Sequence, residues 1–220
     1  PYQCAFTFVM GFGRAGEYLW RFDRQRSNGA LGDSASHMGD LARWLVGDIA
    51  AVSALLGTFV SRPGPDGGAL DPANDAATLA LRFADGAQGT IQVSYVAHLG
   101  DRWLQQRVVI HGAQGTLEAD LDASRGAELR GARGDEPQIK QIPVPERLAG
   151  WLESAHSPFE QFLHRAMTQP IGARAFVDAI VEDHPAVPSF ADGVEAQAVV
   201  EAALRSAETG CAVAVERGGS

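Results

Sequence analysis

The chain has 220 residues, of which 45% are hydrophobic and 20% are charged, and its formal net charge is −9. This composition is ordinary for one large globular domain or two small ones. The acidic balance argues against a nucleic-acid partner and against an anionic membrane surface, since both attract basic patches. No apolar run approaches the roughly 20 residues of a membrane span. We expect a cytoplasmic protein whose partner is a small molecule or another protein.

Two cysteines, Cys4 and Cys211, stand far apart in the sequence. Their number and spacing indicate neither a disulfide framework nor a metal cluster. We therefore expect two reduced thiols, both buried.

A strand-like run over residues 4–10 opens the chain without an initiator methionine. We expect residues 1–220 to form one domain of a longer protein that continues on the N-terminal side. The next glycines, Gly11, Gly13 and Gly16, match the G-x-G-x-x-G spacing of a dinucleotide-binding turn. That function needs a helix and then a second strand, whereas residues 20–29 are polar and typical of turns. We interpret the glycines as a flexible loop that binds no cofactor.

Residues 33–45 predict an amphipathic helix, because apolar and polar side chains separate at about 100° per residue. The apolar stripe contains Met38, Leu41 and Leu45, and the polar stripe contains Asp33, His37, Asp40 and Trp44. Asp33 precedes His37 by one turn, near a helix N-terminus, and a carboxylate can orient an imidazole and tune its proton affinity. The pattern indicates an acid/base pair on a rigid support.

The same residues have simpler interpretations, which the spacing leaves open. Asp33 is a preferred N-cap residue, Asp40 can be a solvated helix charge, and Trp44 can belong to the core. A metal site built from Asp33, His37 and Asp40 is a further alternative. Zinc and iron sites usually recruit ligands from other elements as well, and the sequence identifies none.

Alternation of apolar and polar residues predicts strands through the middle of the chain. Leu79, Leu81 and Phe83 alternate with small or polar residues, as do the residues of 90–95, and Asp85-Gly86 between the two runs predicts a hairpin. The other predicted strands cover residues 49–60, 106–111, 116–120, 127–130, 138–144 and 212–215. Short links between successive strands favour an antiparallel sheet.

Helical patterns return over residues 158–167, 176–181 and 194–207. We therefore predict an α+β fold, in which a large open and mostly antiparallel sheet carries helices packed on one face. The other face contains small, weakly polar side chains, including Ala80, Gln92 and Ser94. Another subunit could cover such a face.

Several motifs follow one another along the chain, in residues 20–23, 27–41, 111–118, 176–180, 188–193 and 206–210. Gly112, Gly115, Thr116 and Leu117, for example, form a Gly-x-x-Gly-Thr-Leu turn. In this order the motifs resemble the C-terminal domain of the glucose-fructose oxidoreductase/inositol dehydrogenase (Gfo/Idh/MocA) family. The resemblance covers nearly the whole chain, although Asn28-Gly29 stands where the family often has consecutive glycines.

The resemblance implies an N-terminal Rossmann domain, absent from this chain, that binds NAD or NADP. The present domain would then shape a pocket for a sugar, cyclitol or related polyol. The resemblance assigns His37 as proton donor or acceptor at a substrate hydroxyl or carbonyl, and Asp33 as the residue that binds substrate or orients His37.

The family also uses a catalytic lysine in a Glu-Lys-Pro motif between the domains. Lys140 is the only lysine here, and it lies in a predicted strand before Gln141. We therefore expect residues 1–220 to be inactive alone. A full-length protein without that lysine would be a non-redox relative.

Three further residues are candidates for substrate binding. The Trp20 indole can stack on a sugar ring and the Arg21 guanidinium can bind hydroxyls, with simple packing and a surface ion pair as the alternatives. His98, at the end of the strand over 90–95, is the third candidate, against an ordinary polar edge. The remaining histidines, expected to be structural or solvated, are His111, His156, His164 and His184.

The family resemblance also implies a homodimer or homotetramer that forms through the sheet face. The competing hypothesis is a non-enzymatic domain, whose broad sheet only pairs subunits or binds a partner.

Overall fold

The computed structural model describes residues 1–102, 104–122, 126–145 and 172–216. Nine strands are present in these ranges: β1 (Gln3–Met10), β2 (Ile49–Gly57), β3 (Ala76–Phe83), β4 (Gln88–Ser94), β5 (Leu104–Gly112), β6 (Gly115–Asp122), β7 (Gly126–Arg133), β8 (Lys140–Gln141) and β9 (Val213–Ala214). They form one sheet in the order β8-β7-β6-β5-β1-β4-β3-β2-β9.

The sheet is antiparallel at every pairing of described strands except one. The first strand of the chain, β1, is inserted between β5 and β4, antiparallel to β5 and parallel to β4. The predicted open, mostly antiparallel sheet is therefore confirmed. Three strands are shorter than predicted: β8 covers only Lys140–Gln141, β9 covers only Val213–Ala214, and β2 ends at Gly57. The end of β2 has a clear cause, because the N–H groups of Phe59 and Val60 just beyond it donate to the Asp75 carboxylate.

Side chains alternate between a covered and an open face of the sheet, as the sequence predicts. In β3 and β4 every second residue is buried, and the intervening residues are exposed. The covered face supplies most of the core, including Phe6, Leu79, Leu81, Ile91 and Val93. On the open face Ala80 and Gln92 are exposed and Ser94 is half-buried.

Three α-helices lie in the described ranges: α1 (Ser36–Leu45), α2 (Ala173–Val181) and α3 (Phe190–Thr209). Helix α3 packs on β2 and against α1. Both α1 and α3 contribute buried residues to the core on the covered face of the sheet. The two C-terminal helices that the sequence predicts are confirmed, and the helix predicted over 158–167 lies outside the described residues. None of the described helices is long and apolar enough to cross a bilayer.

Helix α1 uses less of its predicted apolar stripe than expected. Met38 is buried and Leu41 is half-buried, but Leu45 is 39% exposed. Trp44 is 81% exposed, so the core interpretation of this residue is wrong. Both residues occupy the last turn of α1.

Helix α3 begins with a capping box. The Ser189 N–H and hydroxyl both donate to the Asp192 carboxylate, at 2.7 and 2.9 Å. These hydrogen bonds to the charged form hold the pKa of Asp192 below its ordinary value. The helix ends at Gly210, whose φ of 68° is the left-handed conformation typical of a helix C-terminus.

The glycines after β1 do not form the flexible loop that the sequence predicts. Phe12–Ala15 is a 3₁₀ turn, in which the Gly13 N–H donates to the Tyr95 carbonyl at 2.8 Å. Gly13 is buried, and a Cβ built on it would lie 2.7 Å from Cζ of Phe22. The turn is ordered by this close packing with parts of the chain that are distant in sequence.

The two cysteines differ in environment. Cys4 is buried, and burial raises the pKa of its thiol to about 11. Cys211 is exposed, so the expectation that both thiols are buried is wrong for this residue. The short edge strand β9 begins two residues later and leaves it uncovered.

Candidate functional site

The helix that carries the candidate acid/base pair contains a π turn. Leu31–Ala35 is π-helical and continues directly into α1, and helical backbone already begins at Gly29. Asp33 therefore lies inside the helix, and its interpretation as an N-cap is wrong. Such π turns are rare and recur at functional sites.

The start of this helix is capped by a residue from the distant segment before β3. The Leu31 N–H donates to the Asn74 side-chain oxygen at 2.9 Å, and the Ala30 N–H donates to the Asn74 carbonyl at 3.0 Å. Gly29 makes this approach feasible, because a Cβ there would lie 2.1 Å from the Asn74 carbonyl oxygen. Asn74 thus supplies the N-terminal cap that the sequence seemed to place at Asp33.

Asp33, Arg21 and Trp20 come together at the surface. The Arg21 Nε donates to Asp33 Oδ2 at 2.8 Å, and both side chains are partly exposed, at 40% and 34%. The Arg21 guanidinium also lies over the Trp20 ring, 4.7 Å from its centroid, and Trp20 is 48% exposed. Among described residues, only Nε of this guanidinium has a hydrogen-bond partner. Its two terminal nitrogens, beside the aromatic ring, can therefore donate to a further group.

A buried hydroxyl pair supports this cluster from below. The Ser34 hydroxyl donates to the Tyr95 phenol oxygen at 2.8 Å, and both residues are almost completely buried. Burial raises the pKa of the Tyr95 phenol, and the neighbouring Asp33 carboxylate raises it further. Tyr95 therefore stays protonated and can act only as a neutral polar group beside Asp33.

His37 lies in a groove of about 950 Å³, whose lining also contains Met38, Trp44 and Gln106. The imidazole is exposed, and it has no hydrogen-bond partner within the parts of the chain that the structure describes. No hydrogen bond joins it to Asp33, whose carboxylate is bound by Arg21. The exposed ring remains available to a bound molecule.

His98 lies beside Arg14. Its Nδ1 is hydrogen-bonded to a guanidinium nitrogen of Arg14, and both side chains are exposed. Arg14 comes from the 3₁₀ turn after β1, and His98 follows the end of β4. Trp103, five residues after His98, lies outside the described residues, as do His156 and His164.

A buried ion pair, absent from the sequence predictions, fixes the region behind Trp20 and Arg21. Arg62 and Asp75 are joined at 3.1 Å, with side-chain exposures of 1% and 0%. Neither residue belongs to a recognisable motif, because Arg62 lies in a Gly- and Pro-rich loop and Asp75 directly precedes β3. A charged residue within such a loop was the only available signal.

The glycine turn offers no cradle for a dinucleotide pyrophosphate. The Gly13 N–H donates to Tyr95, its carbonyl accepts from Arg62 at 2.7 Å, and no helix follows to present free N–H groups. The residues of this chain at Gly11 to Gly16 therefore do not fit the cofactor that such a motif would hold. In the described ranges no group of three His, Cys, Asp or Glu side chains is arranged for a metal ion.

Comparison with known proteins places the chain in a family. Residues 1–215 match the family model described as oxidoreductase family, C-terminal alpha/beta domain, of the Gfo/Idh/MocA type. The chain is 30% identical over 220 residues to levoglucosan dehydrogenase of Pseudarthrobacter phenanthrenivorans, an alignment that covers 86% of this chain and 52% of that protein. It is 26% identical over 185 residues to inositol 2-dehydrogenase of Rhizobium meliloti, with coverages of 83% and 48%.

A solved structure of levoglucosan dehydrogenase in complex with NADH and levoglucosan has the same fold. It matches with a TM-score of 0.80 and 27% identity, and the match covers 99% of this chain and 59% of that one. The chain thus spans about half the length of the curated relatives it matches. The chain belongs to the Gfo/Idh/MocA oxidoreductase family and corresponds to its C-terminal α/β domain.

Proposed function

We propose that the full-length protein is an NAD(P)-dependent oxidoreductase of a sugar, cyclitol or related polyol, and that this chain is its substrate-binding domain. The observation that carries the proposal is the surface cluster of Asp33, Arg21 and Trp20. Asp33 in this cluster lies one helical turn before His37, whose imidazole is exposed. The relatives support the substrate class, since one is named for levoglucosan, a sugar derivative, and another for inositol.

In this proposal His37 gives or takes the proton at the reacting substrate oxygen. An imidazole suits this task because its ordinary pKa lies near neutral pH. Asp33 accepts a hydrogen bond from a substrate hydroxyl through the oxygen that Arg21 does not occupy. Because Arg21 fixes the carboxylate, the acceptor is oriented before substrate arrives.

Trp20 and Arg21 supply recognition of the carbohydrate. The half-exposed indole offers an apolar face to the C–H groups of a sugar ring, and the terminal guanidinium nitrogens donate to its hydroxyls. His98, on the separate Arg14 pair, would contact a more distant part of the substrate. We propose all three as substrate-binding residues.

We infer that the nicotinamide cofactor and the catalytic lysine belong to the part of the full protein outside this chain. The glycine turn supports this inference, because its backbone groups are already used within the domain. Lys140 supports it too, since it lies on the edge strand β8 and donates to Glu136 at 3.2 Å.

The decisive experiment replaces His37 in the full-length protein and follows turnover of levoglucosan, L-sorbose and myo-inositol with NAD⁺ and NADP⁺. We expect His37→Gln to lower kcat by roughly 10²- to 10⁴-fold, the range that a general acid/base contributes. His184→Gln is the matched control, because His184 is exposed and its imidazole pairs only with Glu182 and the Pro185 carbonyl among described residues.

The same experiment separates the enzyme from its alternatives. Loss of turnover in His37→Gln with intact assembly supports the proposal. Equal activities of wild type, His37→Gln and His184→Gln would contradict the acid/base role. A wild-type protein that turns over none of these substrates with either cofactor would favour a non-redox relative or a non-enzymatic domain.

We also propose that a second copy of the protein covers the open face of the sheet. Several exposed side chains of β3 and β4 on this face are short or weakly polar, as in Thr78, Ala80 and Thr90. Such a face suits a two-fold interface of a homodimer or homotetramer. Sedimentation of the full-length protein tests this directly, and a monomer at micromolar concentration would contradict it.

A further inference from the structure

The guanidinium of Arg62 is buried at a junction of four chain segments. Nη1 donates to Asp75 Oδ2 at 3.1 Å and to the Val60 carbonyl at 2.9 Å, while Nη2 donates to the Gly13 carbonyl at 2.7 Å. Its central carbon lies 3.6 Å from the centroid of the Phe22 ring. One side chain therefore ties the turn after β1, the end of β2, the start of β3 and the turn that contains Phe22.

The last of these contacts reaches the candidate site. Trp20–Phe22 is a 3₁₀ turn of three residues, so that Phe22 is continuous with the two proposed substrate-binding residues. The Phe22 ring is fully buried and contacts both the Arg62 guanidinium and the Tyr95 ring. The backbone carbonyl of Phe22 accepts a hydrogen bond from the Ala73 N–H at 2.9 Å. Where Phe22 is held, Trp20 and Arg21 are held as well.

We propose that Arg62 is a positioning residue for substrate recognition, which acts through Phe22 to hold Trp20 and Arg21 beside Asp33. The proposal rests on the function proposed above. Arg62 itself does not touch the substrate, because its side chain is 1% exposed.

A role in stability alone accounts poorly for this arrangement. Burying two charges costs several kcal/mol of desolvation per ion, and apolar side chains of similar volume often serve stability equally well. The Arg62 Nε is also buried without a hydrogen-bond partner in the described parts of the chain, which adds to the cost. What the guanidinium provides, and an apolar side chain would not, is a planar group with directed bonds that fixes four segments in one geometry.

Arg62→Lys is the first test variant, in the full-length protein. Lysine keeps a positive charge next to Asp75, but its single ammonium cannot span the Val60 and Gly13 carbonyls or stack flat on Phe22. Gly13→Ala is the second variant, because its Cβ would press on Phe22 at 2.7 Å while the Arg62 charge remains. Gly68→Ala is the matched control, since its Cβ would meet nothing within 4 Å.

The first readout needs no enzymatic activity. In protein labelled with 5-fluorotryptophan, the fluorine resonances of Trp20 and Trp44 are assigned from the Trp20→Phe and Trp44→Phe spectra. We expect Arg62→Lys and Gly13→Ala to shift or broaden the Trp20 resonance and to leave that of Trp44 unchanged. Gly68→Ala should change neither. A Trp20 resonance that is unmoved in both test variants would overturn the proposal, whether or not the wild type is active.

The second readout separates positioning from general damage. We expect Arg62→Lys to raise KM for the sugar roughly tenfold and to leave kcat within about twofold, since one or two recognition contacts are misplaced. In Trp20→Phe protein the further effect of Arg62→Lys on KM should be smaller, because one of the two residues that Arg62 positions is already altered. Fully additive effects, or an equal fall in kcat, would contradict action through this turn. If wild type turns over no substrate, the proposed function fails while the fluorine spectra still decide the positioning role.

Discussion

Asp75 is the most deeply buried charge that the structure describes, and removing it tests how the loop after β2 is held. Its carboxylate is 0% exposed and accepts from the Phe59 N–H at 3.0 Å, the Val60 N–H at 3.1 Å and Arg62 at 3.1 Å. In Asp75→Ala the Arg62 charge and two N–H groups lose their partner. Breaking a buried pair in this way costs about 3–5 kcal/mol of unfolding free energy.

The matched control is Asp71→Ala in the same loop. Asp71 faces Arg24 at 3.7 Å, with side-chain exposures of 58% and 68%, and exposed pairs of this kind contribute about 0–1 kcal/mol. At about 2–4 °C per kcal/mol for a domain of this size, we expect a Tm loss of roughly 6–20 °C for Asp75→Ala and at most about 4 °C for Asp71→Ala.

The assay is thermal unfolding of the full-length protein at neutral pH, followed by calorimetry and tryptophan fluorescence. Asp75→Asn should fall between the two variants, because its side-chain oxygen still accepts one of the N–H bonds while the charge is lost. The reasoning is refuted if Asp75→Ala unfolds within about 2 °C of Asp71→Ala.

Three further predictions concern titratable groups. Cys211 should be alkylated rapidly by iodoacetamide at pH 8 and Cys4 only slowly, as peptide mass spectrometry can show, because burial raises the Cys4 pKa from 9.0 to about 11. The unfolded chain releases this proton first, so Cys4 should also make stability fall as the pH rises from 9.0 to about 11. Equal labelling of both thiols would contradict the first prediction. Asp192→Ala should lower Tm at pH 7, and the difference should vanish as the pH falls through the lowered folded-state pKa of Asp192, below 3.8. If the Tm difference between wild type and Asp192→Ala persists below this pKa, the charge of the Asp192 carboxylate is not what stabilises the helix start.

The helix that carries His37 shows where sequence reasoning worked and where it stopped. The periodicity of residues 33–45 predicted a helix and placed His37 and Asp33 on its polar side. It predicted the wrong N-terminus, because the capping group is Asn74, 43 residues away from Leu31 in sequence. It also missed the π turn over Leu31–Ala35, which the 3.6-residue periodicity does not distinguish from an ordinary α-helix.

The partners of the candidate residues were beyond the sequence for the same reason. Trp20 and Arg21 were identified by type and by resemblance, but the Arg21 bond to Asp33 spans 12 residues and depends on how two turns meet. Arg62 and Asp75 carried no motif at all. Their importance comes from burial, which is a property of the assembled chain.

The sequence by itself determined the α+β class, the existence of most strands and the family, because period-2 and period-3.6 patterns and short motifs are local properties of the chain. Only the tertiary structure decided that β1 lies between β4 and β5, that Arg21 binds Asp33, and that Arg62 is buried against Phe22. These are contacts between segments distant in sequence, whose free energy depends on mutual burial and distance, and neither quantity exists until the chain has folded.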